Sequence, residues 1–196
     1  MTSPLEVIET PRLLLRATDV AMAASVAAYL LRNRAAHAPW NPPMDDRMFT
    51  AEGQAERLDA AVRHEADGSQ IGWWMFLRHD SAAVMGHVRL SQVARGPFCS
   101  AMLGYAIDAA HEGRGLMREA LVAVLADAFG ARVNLHRVQA NARPENVRSL
   151  GLLDRLGFER EGLAREYLFI DGAWRDHVMT AKRHPRWPAH QAPGQR

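Results

Sequence analysis

The spacing of apolar and polar positions changes period several times along the chain, and each change marks an element. "PRLLLR" (11–16) is a short apolar run after a proline and predicts a first strand. Residues 19–36 are alanine-rich, with Val20, Ala24, Ala27 and Leu31 at helical spacing. "HAPWNPPMDD" (37–46) holds three prolines and predicts a loop. A second helix is expected over 51–66, with Leu58, Ala61 and Val62 on one face. "IGWWMFLR" (71–78) and "AVMGHVRLSQV" (83–93) are strand-like, and "HDSA" between them predicts a hairpin turn. "CSAMLGYAID" (99–108) is another strand, followed by a glycine-containing loop and a helix over 114–130. In that helix Leu116, Ala120, Leu121, Val124, Leu125 and Ala128 keep one face, and Gly130 is a natural stop. "LHRVQAN" (135–141) predicts a short strand, and 144–158 a helix with Asn146 near its start. Gly157 sits where a left-handed C-cap belongs, with Phe158 able to fold back on the last turn. A final hairpin is expected over 165–183, turning at Asp171-Gly172. The order β-α-α-β-β-β-α-β-α-β-β predicts one mixed α/β domain over 1–184, an antiparallel run ahead of a β-α-β unit. Residues 185–196, with three prolines, read as a tail.

Composition narrows the function classes. A chain of 196 residues with 48% hydrophobic and 23% charged residues is globular and suits one domain with a full core. The formal net charge of +2 permits proximity to ribosome or RNA without arguing for it. Cys99 is the single cysteine, so neither a disulfide framework nor a cysteine-based zinc site is available, and a reducing compartment fits. No run approaches the ~20 apolar residues of a membrane span, and "MTSPLEVIETPRLLLR" has no long apolar core or cleavage site. The expectation is a cytoplasmic protein with no membrane partner.

The stretch "AHEGRGLMREAL" (110–121) carries the first chemical signal. Gly113 and Gly115 flank Arg114, and a helix pattern follows at once. Glycines let backbone N–H groups approach a ligand closely, and a helix start favours negative charge. Arg114 adds a charged donor for phosphate. Walker A would need Gly-Lys-Ser/Thr, and Met117 and Arg118 break the Rossmann pattern. On the loop alone a plain strand-to-helix turn is the better explanation of the glycines. "HEADG" (64–68) and "HEGRG" (111–115) lack the second histidine of a zinc helix, so no metal is expected, and no Gly-x-Ser-x-Gly elbow is present. Cys99 reads as a small core residue.

Together, "LGYAID", "HEGRGLMREAL" and "HRVQANARPENVRSLGLLDRLGFEREG" resemble the GNAT superfamily of acetyl-CoA-dependent N-acetyltransferases. "EGRGLM" (112–117) lies over the family's Q/R-x-x-G-x-G/A motif. "EYLFIDGAWRDHVMTA" (166–181), "PW" (39–40) and "VARGPF" (93–98) are similar to the RimJ/RimL branch, on its RimJ side. The likeness runs from about Arg12 to Trp187.

This resemblance implies a mixed, mostly antiparallel sheet of about seven strands flanked by helices, with a V-shaped splay between the strands at 99–107 and 135–141. Acetyl-CoA and the acceptor would meet there. The implied acetyl-CoA residues are Tyr105, Ala106 and Ile107 on the strand, Glu112, Gly113, Arg114, Gly115, Leu116 and Met117 in the loop, and Asn141, Asn146 and Ser149 beyond it. Two positions depart from the motif. Glu112 stands at the Gln/Arg position, where its side chain is expected to point away from the phosphates. Met117 stands at the Gly/Ala position.

Transfer to an amine needs a neutral nucleophile, a base, oxyanion donors and an acid for the leaving sulfur. Glu166 in "REYLF" is the candidate base by resemblance, against plain pairing with Arg165 or Arg175. Ser149 is the candidate acid. It lies three residues after Asn146, so both face one side of the first helical turn, although an ordinary N-cap explains Asn146 equally well. Tyr105 is a weaker acid candidate. Strict alternation puts Tyr167 on the opposite sheet face from Glu166. Three functions follow: acetylation of a protein N-terminus, foremost an alanine-initiated ribosomal protein of the small subunit; acetylation of a small amine; or a ribosome-assembly or regulatory protein that holds coenzyme A without turnover.

Overall fold

The computed structural model describes residues 7–187. One eight-stranded sheet runs through it in the order β1-β2-β3-β4-β5-β6-β8-β7. The strands are β1 (Val7–Glu9), β2 (Leu13–Ala17), β3 (Ile71–Leu77), β4 (Gly86–Ala94), β5 (Ser100–Ile107), β6 (Arg137–Ala142), β7 (Glu159–Ile170) and β8 (Ala173–Arg183). Helices are α1 (Ala23–Arg32), α2 (Arg34–His37), α3 (Ala51–Ala66), α4 (Leu116–Phe129) and α5 (Val147–Arg155). The expected mixed, mostly antiparallel sheet is present, with one strand more than the seven anticipated.

Three local expectations change. The expected helix over 19–36 is a 3₁₀ turn (Val20–Met22), α1 and α2, broken at Asn33. Asn33 turns its side chain back onto the Tyr29 carbonyl, 2.9 Å, which competes with helix continuation. β1 precedes the predicted first strand and is too short for its period to show. β7 begins at Glu159, six residues before the predicted hairpin, because as an outer strand it is exposed almost throughout and has no alternation to read.

Each sheet face packs its own core. Leu13, Leu15, Trp73, Met75, Val88 and Leu90 point to the face covered by α4 and α5, where Leu116, Leu121, Val124, Leu153 and Phe158 meet them. Trp74 and Phe76 point to the other face, against Val26, Tyr29 and Leu30 of α1 and Leu58 of α3. Trp73 and Trp74 are adjacent, so strand alternation sends one indole into each core. Cys99 is buried, with its thiol on the Asn134 carbonyl at 3.4 Å. α5 ends as its sequence predicts. Gly157 is left-handed (φ 79°), the Phe158 N–H reaches the Leu153 carbonyl at 3.0 Å, and the Phe158 ring is buried.

The sheet's one parallel pair positions the site. β5 and β6 pair only through Ser100–Met102 against Arg137–Gln139. Beyond those residues β5 runs on to Ile107 and β6 to Ala142 without pairing, so the sheet opens between them. Pro185, Arg186 and Trp187 begin the predicted tail, and Trp187 packs its ring on His136 and His184. The rest of that tail, 188–196, lies outside the described residues, as do residues 1–6 of the N-terminal segment.

Candidate active site

The glycine loop joins β5 to α4 at the head of this opening. Gly113 and Gly115 hold φ of 74° and 76°, values that cost a residue with a Cβ about 1–2 kcal/mol. Gly115 is the N-cap of α4, and no side chain caps it. The first-turn N–H groups of a 14-residue helix are therefore left to a ligand. Leu116 and Met117 bury their side chains in the core, so only their main chain is offered to the loop. Met117 thus fills the motif's small-residue position without obstructing it. Arg114 is exposed. The Glu112 carboxylate is ion-paired with Arg148 of α5, so its charge does not stand alone beside the anion site.

Residues far away in sequence hold the loop. Arg12 donates to the Arg114 carbonyl at 3.0 Å and pairs with Glu119 of α4 at 2.7 Å. Thr10 donates to the same carboxylate at 2.7 Å. Burial raises the Glu119 pKa, and the bonds from Thr10 and Arg12 more than reverse it, leaving the carboxyl below its ordinary value. Sequence inspection did not single out Arg12 or Glu119. The arginine directly after Pro11 was the available signal.

Inside the opening, β5 turns main-chain groups toward the gap. The Asp108 N–H bonds the Met85 carbonyl at 2.8 Å. Gly86 and Ile107 are therefore a non-hydrogen-bonded pair, with the Ile107 N–H and C=O facing away from β4. Strand period gives Tyr105, opposite Val88, the same direction. His37 Nε2 lies 3.0 Å from the Ile107 oxygen.

Ser149, in the first turn of α5, comes within 2.7 Å of the Tyr105 hydroxyl. Burial pushes the Tyr105 phenol up to about 12, and the Ser149 hydrogen bond opposes that rise. The phenol therefore keeps its proton across the whole neutral range. Asn146 caps α5, its Oδ1 accepting the Ser149 N–H at 3.1 Å, so the cap reading of Asn146 holds and fixes the serine. The weaker acid candidate and the stronger one form a single pair of hydroxyls.

The acceptor side is framed by β7, β8 and the 37–46 loop. Asn141 Nδ2 lies 3.5 Å from the Tyr167 hydroxyl, and its Oδ1 accepts the Thr180 N–H at 3.4 Å. The Tyr167 ring packs on His177, centroids 5.3 Å apart. Glu166 sits in a bulge, where β7 places Arg165, Glu166 and Tyr167 between its pairings of Ala164 with His177 and Leu168 with Arg175. Its φ is 48°, and its N–H bonds the Asp176 carboxylate at 2.9 Å. The bulge breaks the alternation that predicted Tyr167 on the opposite face from Glu166. Glu166 pairs with neither Arg165 nor Arg175, since Arg175 holds Asp171. Asp108, Glu112 and Glu145 are each engaged by an arginine, whereas Glu166 is in no ion pair among the described residues. The 37–46 loop spans the mouth. His37 anchors it to β5, and Arg143, just after β6, donates to the Pro39 carbonyl at 2.6 Å and stacks 5.5 Å over Trp40.

Among the described residues no group of three or more metal-ligating side chains exists, and no helix is long and apolar enough to cross a membrane.

A sheet split beside an uncapped helix start has the geometry to receive an acyl-coenzyme A, and the chain belongs to the GNAT acetyltransferase family, whose domain model matches residues 12–159. It is an acetyltransferase with acetyl-CoA as acyl donor. The uncapped α4 start and the two left-handed glycines fit the donor's phosphates. Among its relatives is the [ribosomal protein uS5]-alanine N-acetyltransferase of Escherichia coli K12, 39% identical over 92% of each chain. The ribosomal-protein-S5-alanine acetyltransferase of Vibrio fischeri superposes with a TM-score of 0.88 at 34% identity, over 93% of this chain and 98% of that one. RimJ of Mycobacterium smegmatis, solved with CoA-disulfide, gives 0.83 at 29% identity, over 92% and 85%.

Proposed function

We propose that the protein acetylates the α-amino group of a polypeptide N-terminus, that of an alanine-initiated ribosomal protein of the small subunit. The observation that carries this reading is the breadth of the acceptor side. Gly104 of β5 is exposed with nothing within 4 Å of where a Cβ would lie, and Tyr167 of β7 and Trp40 of the 37–46 loop are exposed as well. A polypeptide chain can lie across such a surface. The named activities of the two alanine acetyltransferases support the same acceptor. The reading places the reaction in the cytoplasm beside newly made ribosomal protein, with residues 1–184 as the acetyltransferase domain and 185–196 as an appended tail.

In this proposal the N–H groups of Gly113, Gly115, Leu116 and Met117, with Arg114, hold the pyrophosphate. The main chain of Tyr105 and Ile107, together with Asn141 and Asn146, lines the pantetheine path, while that of Ala106, paired with His87, faces β4. Glu112 stays turned to Arg148. Bound acetyl-CoA supplies an activated acetyl thioester. An α-amine with pKa near ~7.7–8.0 is partly neutral already, and Glu166, exposed and in no ion pair, takes the remaining proton. The Ile107 N–H faces the gap as an oxyanion donor. The Tyr105 hydroxyl donates to Ser149 Oγ, and the serine proton serves the leaving sulfur.

Thiol release from acetyl-CoA tests the reading, with Ala-, Ser- and Met-starting peptides beside a panel of small amines. Turnover on the Ala peptide, with the acetyl group located on its α-nitrogen, is expected. Turnover confined to small amines overturns it, and coenzyme binding without turnover on any acceptor points to a binding protein.

A further inference from the structure

A cavity of about 20 Å³ lies between α3 and strands β3 and β4, lined by Arg57, Arg89, His87, Gln70, Trp74 and Thr18 among others. No acid lines it. Arg57 donates through Nε to Gln54 at 3.0 Å and lies 5.8 Å over the Trp74 ring. Its remaining donors make no hydrogen bond among the described residues, and the Arg89 guanidinium makes no hydrogen bond or ion pair there either. Burial pulls the Arg57 guanidinium down to about 10, helped by the repulsion of Arg89. Burial also lowers Arg89. Glu65 lies over Gly72 nearby, but its carboxylate is engaged by Thr18 at 2.6 Å, burial raises its pKa, and it pairs with neither arginine. His87 adds a buried Nδ1 with no partner.

Two cations withdrawn from water, repelling each other and lacking an acid, are costly unless an anion joins them. We propose that this cavity is a carboxylate subsite that receives an acidic side chain of the acceptor polypeptide. Its volume suits a carboxylate head, given that one water needs roughly 10–15 Å³, and is tight for a tetrahedral phosphate. Arg89 is the cross-strand partner of Gly104, the residue before Tyr105. Strand spacings of about 4.8 Å and rises of about 3.4 Å put the cavity roughly 10–15 Å from the end of β5. That is a reach of about three to five extended residues from the reacting amine. The assignment to the acceptor rests on the proposed peptide activity; the anion site itself does not.

Two measurements separate these. First, the unfolding midpoint is followed against formate, phosphate and chloride at constant ionic strength. Formate is expected to raise it saturably and above chloride, with phosphate no better than chloride. Arg89→Met and Arg57→Gln are expected to lose the response. Removing one of the repelling cations should also leave the anion-free midpoint at or above that of the wild type. Formate acting no better than chloride, or acting equally on both variants, overturns the site, and phosphate acting as well as formate overturns the carboxylate assignment. Second, Ala-starting peptides carry Glu or Gln at each position from 2 to 6. A preference for Glu of about tenfold in kcat/KM is expected at one position from 3 to 5, falling to about one in Arg89→Met. Equal rates for every Glu/Gln pair overturn the acceptor assignment. If no peptide is acetylated at its α-amine, the proposed function fails while the formate titration still decides the site.

Discussion

Ser149→Ala removes one hydroxyl and leaves the Tyr105 phenol, 2.7 Å away, without its partner. Two effects follow, on different observables. The phenol is largely buried, which pushes its pKa up to about 12. Orphaning a buried hydroxyl costs about 1–3 kcal/mol, which lowers the unfolding midpoint by several degrees at roughly 2–4 °C per kcal/mol. In catalysis, a hydrogen bond to a charged group is worth about 1.5–3 kcal/mol, so kcat should fall roughly 10- to 150-fold. A phenol of pKa about 12 is a poor outright acid for a thiolate of reference pKa ~8.5. The pair therefore acts chiefly by donating a hydrogen bond to the leaving sulfur, and the loss should not depend on pH between 6 and 9. The assay is steady-state thiol release, with the dissociation constant of coenzyme A measured separately and expected to change little. Tyr105→Phe and the double variant complete the cycle. Because the two hydroxyls form one unit, the double variant should be little worse than the worse single variant. Full multiplication of the two losses, or a loss of coenzyme affinity with kcat intact, would refute the reasoning.

Glu166→Gln should lower kcat/KM about 100-fold near pH 6, with the deficit shrinking above pH 8, where the α-amine is already neutral; a parallel pH profile removes Glu166 from the base role. Arg12→Ala frees the glycine loop from its tie to the Arg114 carbonyl. Half of that side chain is exposed, so the loss is limited to about 1 kcal/mol, read by calorimetry as roughly fivefold weaker coenzyme A binding, and unchanged affinity would refute the buttress. Burial, with Arg89, Arg57 and His37 close by, holds His87 down at about 3 against an ordinary 6.5. The folded state therefore binds fewer protons than the unfolded one between these values. The stability present above pH 6.5 is lost as pH falls toward 3, by on the order of 5 kcal/mol. His87→Leu should flatten that acid limb in denaturant titrations, and an unchanged limb would exclude His87 as its source.

Features written within a few residues of chain were legible without the fold. The helical period over 51–66 predicted the bounds of α3, and the Gly113-Arg114-Gly115 stretch predicted the left-handed turn into α4. Asn146 and Ser149, one turn apart, are linked by the expected cap. These depend on local backbone geometry, which residue type and spacing largely dictate. What completes the site was decided by tertiary structure. Tyr105 meets Ser149 across 44 positions, Arg12 meets Arg114 across 102, and Arg143 meets Pro39 across 104. Period says which face of an element is buried, but not which element it meets. That choice came from the early parting of β5 and β6, which makes the opening and leaves the main chain of β5 facing it. The bulge at Glu166 shows the same limit at short range. Strict alternation sends Tyr167 to the opposite face, but the extra residues of β7 are set by its pairing with β8, and they bring Tyr167 onto His177 and leave Glu166 exposed and in no ion pair.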